Sequence, residues 1–158
     1  MYKSIKVIHI MGVVMFFGSI LGHAIAGIVS SVSENPQVLN TVREVIQTET
    51  YFLTIPGLVL FVLTGIAMLF AGKLPLKTHR WLIVHLSLGA LVGLNALLFL
   101  VPVGQEILEA TQNAIRGGGT KEHLHQLENR EAIFGAINIF ACVILVTIAV
   151  IKPKFGGR

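Results

Sequence analysis

Two histidines, His9 and His85, stand at corresponding places in different parts of the chain. Basic residues precede each of them, Lys3 and Lys6 before the first and Lys77 and Arg80 before the second, and each lies at the start of a long apolar run. A neutral imidazole is a good metal ligand, and an ionisable side chain within an apolar run is costly enough to mark function. Two imidazoles offered at one depth by separate segments match the axial ligand set of a haem iron. A bare transition-metal ion needs further donors, and no Asp or Glu falls at that depth. Taken singly, either histidine also fits a residue that bonds a backbone carbonyl or reaches for the interface. The matching of the two favours ligation.

The residues around these histidines have a pattern of their own. At helical spacing His9, Gly12, Phe16, Ser19, His23 and Ala26 share one face. Small residues there open space beside the imidazoles, and Phe16 is suited to stack on a flat ring. His85, Gly89 and Gly93 form a similar face in four-residue steps. Gly12, Phe16 and Gly89 are therefore the expected walls of a cofactor cavity. The competing explanation for Gly89 with Gly93, and for Gly18 with Gly22, is close helix packing.

His23 lies four helical turns beyond His9, ~21 Å further along at ~1.5 Å per residue. A second haem would need a partner at that depth, and no later segment supplies a histidine there. His23 instead shares its depth with Asn95 and Asn138. Polar side chains surrounded by lipid must find partners, so the trio is expected either to lock the helices together or to line a pocket for a quinone or another redox partner. Glu131, two helical turns before Asn138, is placed to connect that region to water. Met11 and Met15 form an i,i+4 thioether pair, which suits Cu(I) or plain packing. His123 and His125, with Glu122 and Glu128, read as a solvated loop cluster.

Four apolar stretches position these groups, at about residues 5–30, 51–71, 81–103 and 132–151. Each reaches the ~20 residues that cross a ~30 Å hydrocarbon core. Of the 158 residues 54% are hydrophobic and only 13% charged, against roughly 25% charged in soluble domains. Apolar and polar residues do not alternate strictly, which argues against a β-barrel. The first stretch has a basic start and an Ala24-Ile25-Ala26 sequence, but it is longer than the 7–15 residues of a secretory h-region, so it is expected to remain as a span. Cys142 is the single cysteine, so no intrachain disulfide can form.

The net charge of +4 is divided unevenly. In a four-span topology Lys3, Lys6, Lys73, Lys77, Arg80, Lys152, Lys154 and Arg158 fall on one side. All the acids are glutamates, and Glu34, Glu44, Glu49, Glu106, Glu109, Glu122, Glu128 and Glu131 fall on the other, with Arg43, Arg116, Lys121 and Arg130. Basic loops face the cytoplasm, so both termini are expected there, with the basic residues against anionic lipid and no nucleic-acid partner. Outside, Asn35-Pro36 signals a helix start before the amphipathic residues 38–46. Gly72 and Pro75 end the second span. Residues 104–115 and 120–130 flank Gly117-Gly118-Gly119, which predicts that the third and fourth helices continue outward as a glycine-tipped hairpin, with Thr120 as N-cap.

The segment Lys6-Val-Ile-His9-Ile-Met-Gly-Val-Val resembles the first helix of HemJ-type protoporphyrinogen oxidases, a group that also takes in CopD-like copper-handling domains. Thr54-Ile55-Pro56, Trp81, the outer hairpin and Val150-Ile151-Lys152-Pro153 are similar as well. The resemblance implies a haem ligand at His9. Those oxidases carry Trp-Leu-His-x-Lys on helix three, where this chain reads Trp81-Leu82-Ile83-Val84-His85. Ile83 replaces the family histidine and His85 stands at the lysine position, so the resemblance implies a haem-binding relative rather than the named oxidase. The sequence thus predicts an all-α, integral membrane four-helix bundle of one domain, ligating haem b through His9 and His85 in a bacterial inner membrane. Electron transfer, or oxidation of a small hydrophobic reductant such as a quinol, is the expected task. The alternatives are a non-catalytic subunit of a larger respiratory or transport complex, a homo-oligomer among them, and a copper-handling membrane protein.

Overall fold

A computed structural model of the chain describes residues 2–33, 35–72, 75–76 and 79–153. Among them every regular element is helical: α1 (Tyr2–Ser31), α2 (Pro36–Glu49), α3 (Ile55–Gly72), α4 (Arg80–Asn95), α5 (Val101–Ile115) and α6 (Lys121–Ile151). The starts and stops follow local chemistry. Pro36 occupies the first turn of α2, where its missing N–H costs nothing, and the Asn35 side chain accepts from the Gln37 N–H at 3.0 Å. The Thr120 hydroxyl accepts from the His123 N–H at 3.3 Å to begin α6. Between α5 and α6 the chain reverses through Gly117 and Gly119, whose φ angles of 78° and 82° suit only glycine at low cost.

Prolines do not interrupt the second and third long helices. Thr50–Thr54 joins α2 to α3 and Ala96–Leu100 joins α4 to α5, each as a single π-helical segment. The Ile55 N–H donates to the Thr50 carbonyl and the Val101 N–H to the Ala96 carbonyl. Pro56 and Pro102 follow directly. A proline ring clashes with the carbonyl four residues back and offers no donor, and the wider i→i+5 turn accommodates both problems without breaking the helix. Continuous helices of 37 and 36 residues result, Pro36–Gly72 and Arg80–Ile115. At ~1.5 Å per residue each is ~55 Å long, far more than a ~30 Å hydrocarbon core.

The excess length forms a second layer. Four helices are long and apolar enough to cross a membrane. Their shared core gathers Phe16, Ile20, Leu58, Val92, Ala96, Ala141 and Cys142. Beyond it α2, α5 and the first half of α6 pack as a three-helix cap on Val103, Ile107 and Leu127. Large side chains such as Phe70 and Phe140 are exposed around the bundle, as a lipid-facing surface requires. The start of α1 and the end of α6 lie at the face opposite the cap. Lys3, Lys6, Arg80 and Lys152 are there too, while Arg43, Arg116, Lys121 and Arg130 are on the cap side with the described glutamates. Glu34, Lys73, Lys77, Lys154 and Arg158 lie outside the described residues. Single cysteines at Ser33 and Gly118, in a chain with Cys142 replaced, are expected to react with an impermeant maleimide on intact cells, and one at Lys3 is not; the opposite labelling would invert the topology.

The bundle is built from two tight pairs, α1 with α3 and α4 with α6. The first is a backbone-to-backbone crossing. A Cβ at Gly57 would stand 2.6 Å from the Phe16 nitrogen and 3.0 Å from the Gly12 carbonyl oxygen, and one at Gly12 would stand 2.7 Å from the Phe61 nitrogen. Only glycines allow this approach. Gly57→Ala is therefore expected to push the helices apart and cost ~1–3 kcal/mol. Gly18→Ala, with nothing within 4 Å of its Cβ position, is the matched control. Equal thermal melts for the two variants would show that the crossing is not needed for stability.

Candidate functional site

His9 is held by the pairing of α1 with α3. Its Nδ1 lies 2.9 Å from the Phe61 carbonyl oxygen and 3.2 Å from Thr64 Oγ1. The Thr64 hydroxyl donates to the Leu60 carbonyl. A carbonyl only accepts, so Nδ1 carries the hydrogen in this arrangement and Nε2 of the neutral ring keeps its lone pair. Gly65 makes room for the ring, since a Cβ there would stand 3.3 Å from His9 Cε1. The Phe61 ring meets the imidazole edge-on at 6.4 Å.

His85 comes from α4, in the other helix pair. Its Nδ1 is buried and has no hydrogen-bond partner. Trp81 lies one turn earlier with its ring 6.4 Å from the imidazole, and Lys152 Nζ sits 5.9 Å from the Trp81 ring centre. His9 and His85 thus both lie toward the end of the bundle at which α1 starts, α4 starts and α6 ends.

The other expected cavity residues are differently placed. Gly12 is covered by the α3 backbone, and Phe16 is buried in the bundle core against Phe61 at 5.2 Å. Gly89 is half-buried with nothing within 4 Å of its Cβ position. Met11 is 57% exposed and Met15 packs over Gly57. Among the described residues no group of three or more His, Cys, Asp or Glu is arranged to hold a metal ion. Haem needs fewer protein donors, and the donor set fits it: a neutral imidazole with its Nδ1–H anchored on a carbonyl is the form in which histidine ligates, and His85 offers a second ring with a buried nitrogen still lacking a partner.

At the cap end, Asn95 Nδ2 donates to Asn138 Oδ1 at 2.8 Å and to the Phe134 carbonyl at 3.0 Å. Asn138 is completely buried and its own Nδ2 has no partner. His23 pairs with a residue of α2, its Nε2 lying 3.5 Å from Glu49 Oε2. Glu131 is taken up by Arg43, at 2.5 Å, and Glu128 lies 3.4 Å from the same guanidinium. Glu49, Thr64 and the burial of Arg43 are the features sequence reasoning misses. One signal for Arg43 is present, since Leu39, Arg43, Ile46 and Thr50 form the inward stripe of α2, and a charge on an apolar stripe needs a buried partner.

Residues 3–153 match the family described as "Predicted integral membrane protein (DUF2269)". The chain belongs to that family. No curated protein and no solved structure matches it. The family description agrees with the four apolar helices in placing the chain in a lipid bilayer.

Proposed function

We propose that the protein binds one b-type haem near the cytoplasmic face of a bacterial inner membrane, with His9 and His85 as axial ligands, and that it works in electron transfer or in oxidation of a small hydrophobic reductant. The observation that carries this reading is the Nδ1–H of His9 bonded to the Phe61 carbonyl at 2.9 Å, which fixes the tautomer and leaves Nε2 as a ligand. The partnerless nitrogen of His85 supports it from the opposite helix pair, as does the resemblance of the first helix to haem-binding HemJ-type oxidases. A bound haem supplies one-electron chemistry that no side chain offers. The chain's part is to orient two imidazoles, to exclude water with the apolar surfaces of α1, α3, α4 and α6, and to open a face at Gly89.

The absorption spectrum of the full-length protein, purified from cells supplied with a haem precursor, tests the reading. A Soret band with the sharp reduced α-band of a low-spin, bis-histidine haem is expected at a stoichiometry near one. Protein that is colourless as isolated, and stays so after haem titration, would overturn it and favour the subunit or copper-handling alternatives.

A further inference from the structure

Trp81 joins two side chains of different kinds at the end of the bundle opposite the cap. One is His85, whose imidazole meets the indole edge-on with ring centres 6.4 Å apart. The other is Lys152, whose Nζ sits 5.9 Å from the centre of the Trp81 ring. The way α6 stops carries the lysine there. Its N–H closes the last turn on the Ile148 carbonyl at 2.9 Å, and its backbone is left-handed, with φ 48° and ψ 60°. Glycine or asparagine takes that conformation more readily than lysine does. Among the described residues no other side-chain-bearing position has a positive φ. An ammonium is thus held against the same indole that borders a candidate iron ligand.

The charges at this end are of one sign. Lys3, Lys6, Arg80 and Lys152 lie there, and every described glutamate is on the cap side. No described carboxylate is therefore at hand to neutralise Lys152. A haem b brings carboxylates of its own. Its propionates are ionised at neutral pH, as side-chain carboxyls are, and a charge left in hydrocarbon is costly. The ring edge that carries them has to meet water or cations, while the rest of the ring is apolar. A histidine with an ammonium nearby answers both demands, a nitrogen for the iron and a charge-assisted donor for a carboxylate. A phospholipid phosphate offers the ammonium the same charge but has no use for the imidazole.

We propose that Lys152 binds a propionate of the haem, its ammonium positioned by Trp81 beside the ligand His85. This adds an anion-binding residue to the ligand pair and rests on the haem reading.

Titration of the full-length protein, purified in detergent from haem-deficient cells, with ferric haem b and with its dimethyl ester tests it. Both forms keep the iron, and only the ester lacks the negative charges. Both should give the same low-spin spectrum, with haem b bound ~5–10-fold tighter, a value between those of an exposed ion pair and a charge-assisted hydrogen bond. Lys152→Gln should erase that preference and leave the affinity for the ester unchanged, whereas Lys152→Arg should keep it. Equal affinities for the two forms in the wild type, equal weakening of both by Lys152→Gln, or loss of the preference on adding phosphatidylglycerol would each overturn the proposal. A low-spin spectrum from both forms at equal affinity would remove this assignment alone and leave the ligand pair standing. Absence of a haem spectrum with either form would remove the ligation reading, and this assignment with it.

Discussion

His9→Ala is expected to abolish the low-spin haem spectrum, and His85→Ala to do the same independently. The two imidazoles come from α1 and α4, which belong to different helix pairs, so neither side chain can stand in for the other. Loss of one axial ligand leaves a five-coordinate iron and a high-spin spectrum, or no retained haem at all. Exogenous imidazole should restore the low-spin bands to a folded His9→Ala protein, which separates loss of a ligand from loss of structure. Thr64→Val gives a graded companion. It removes a hydroxyl 3.2 Å from His9 Nδ1 while leaving the Phe61 carbonyl in place, and outer partners of this kind are worth ~10–100-fold in affinity. Haem titration should therefore show weaker binding with an unchanged band shape. Wild-type reduced spectra in both alanine variants would eliminate this ligand pair.

The four spans are legible in the sequence because lipid imposes one rule along their whole length: the backbone must bond to itself and the side chains must be apolar. The caps at Asn35 and Thr120 are legible because they depend on residues within three positions of one another. The outward extension of the third helix is legible too, from the helical spacing of residues 104–115, whereas the continuity of α2 with α3 is not: it shows only in the widened turn ahead of Pro56, as a second one precedes Pro102. The candidate site divides in the same way. The depth match of His9 and His85 can be counted along the chain, whereas the Phe61 and Thr64 partners of His9 depend on the rotation of α3 about its axis. That rotation is set by the Gly12–Gly57 crossing, which brings two backbones together across 45 residues of sequence. Depth alone groups the outer trio in the sequence. Depth places His23, Asn95 and Asn138 in one layer, but helix adjacency decides who meets whom: α4 against α6 joins the asparagines, and α1 against α2 gives His23 to Glu49.

Arg43→Met is expected to loosen the cap while sparing the membrane bundle. Arg43 is only 4% exposed and bridges α2 to α6 through Glu131 at 2.5 Å and Glu128 at 3.4 Å. Next to it the cap has a small apolar core, Val103, Ile107 and Leu127, so little else ties α2 to α6. Removing the guanidinium leaves two carboxylates facing each other, about three-quarters buried, without a counter-charge. Deleting one partner of a buried ion pair costs ~3–5 kcal/mol, mostly through the charge left behind rather than through the attraction lost. The partial exposure of the glutamates places the expected value at the lower end of that range. Faster amide exchange across α2 and the first half of α6 should report it, with α3 and α4 unchanged, because the Phe16–Leu58–Val92 core lies a layer away. The triple variant Arg43→Met, Glu128→Gln, Glu131→Gln removes the stranded charges and should recover most of the protection, as buried ion pairs replaced in full commonly do. Equal exchange in wild type and Arg43→Met would mean that the cap is held by its apolar contacts alone. Failure of the triple variant to recover would assign the loss to packing of the arginine stem, since the glutamines leave no net charge to repel.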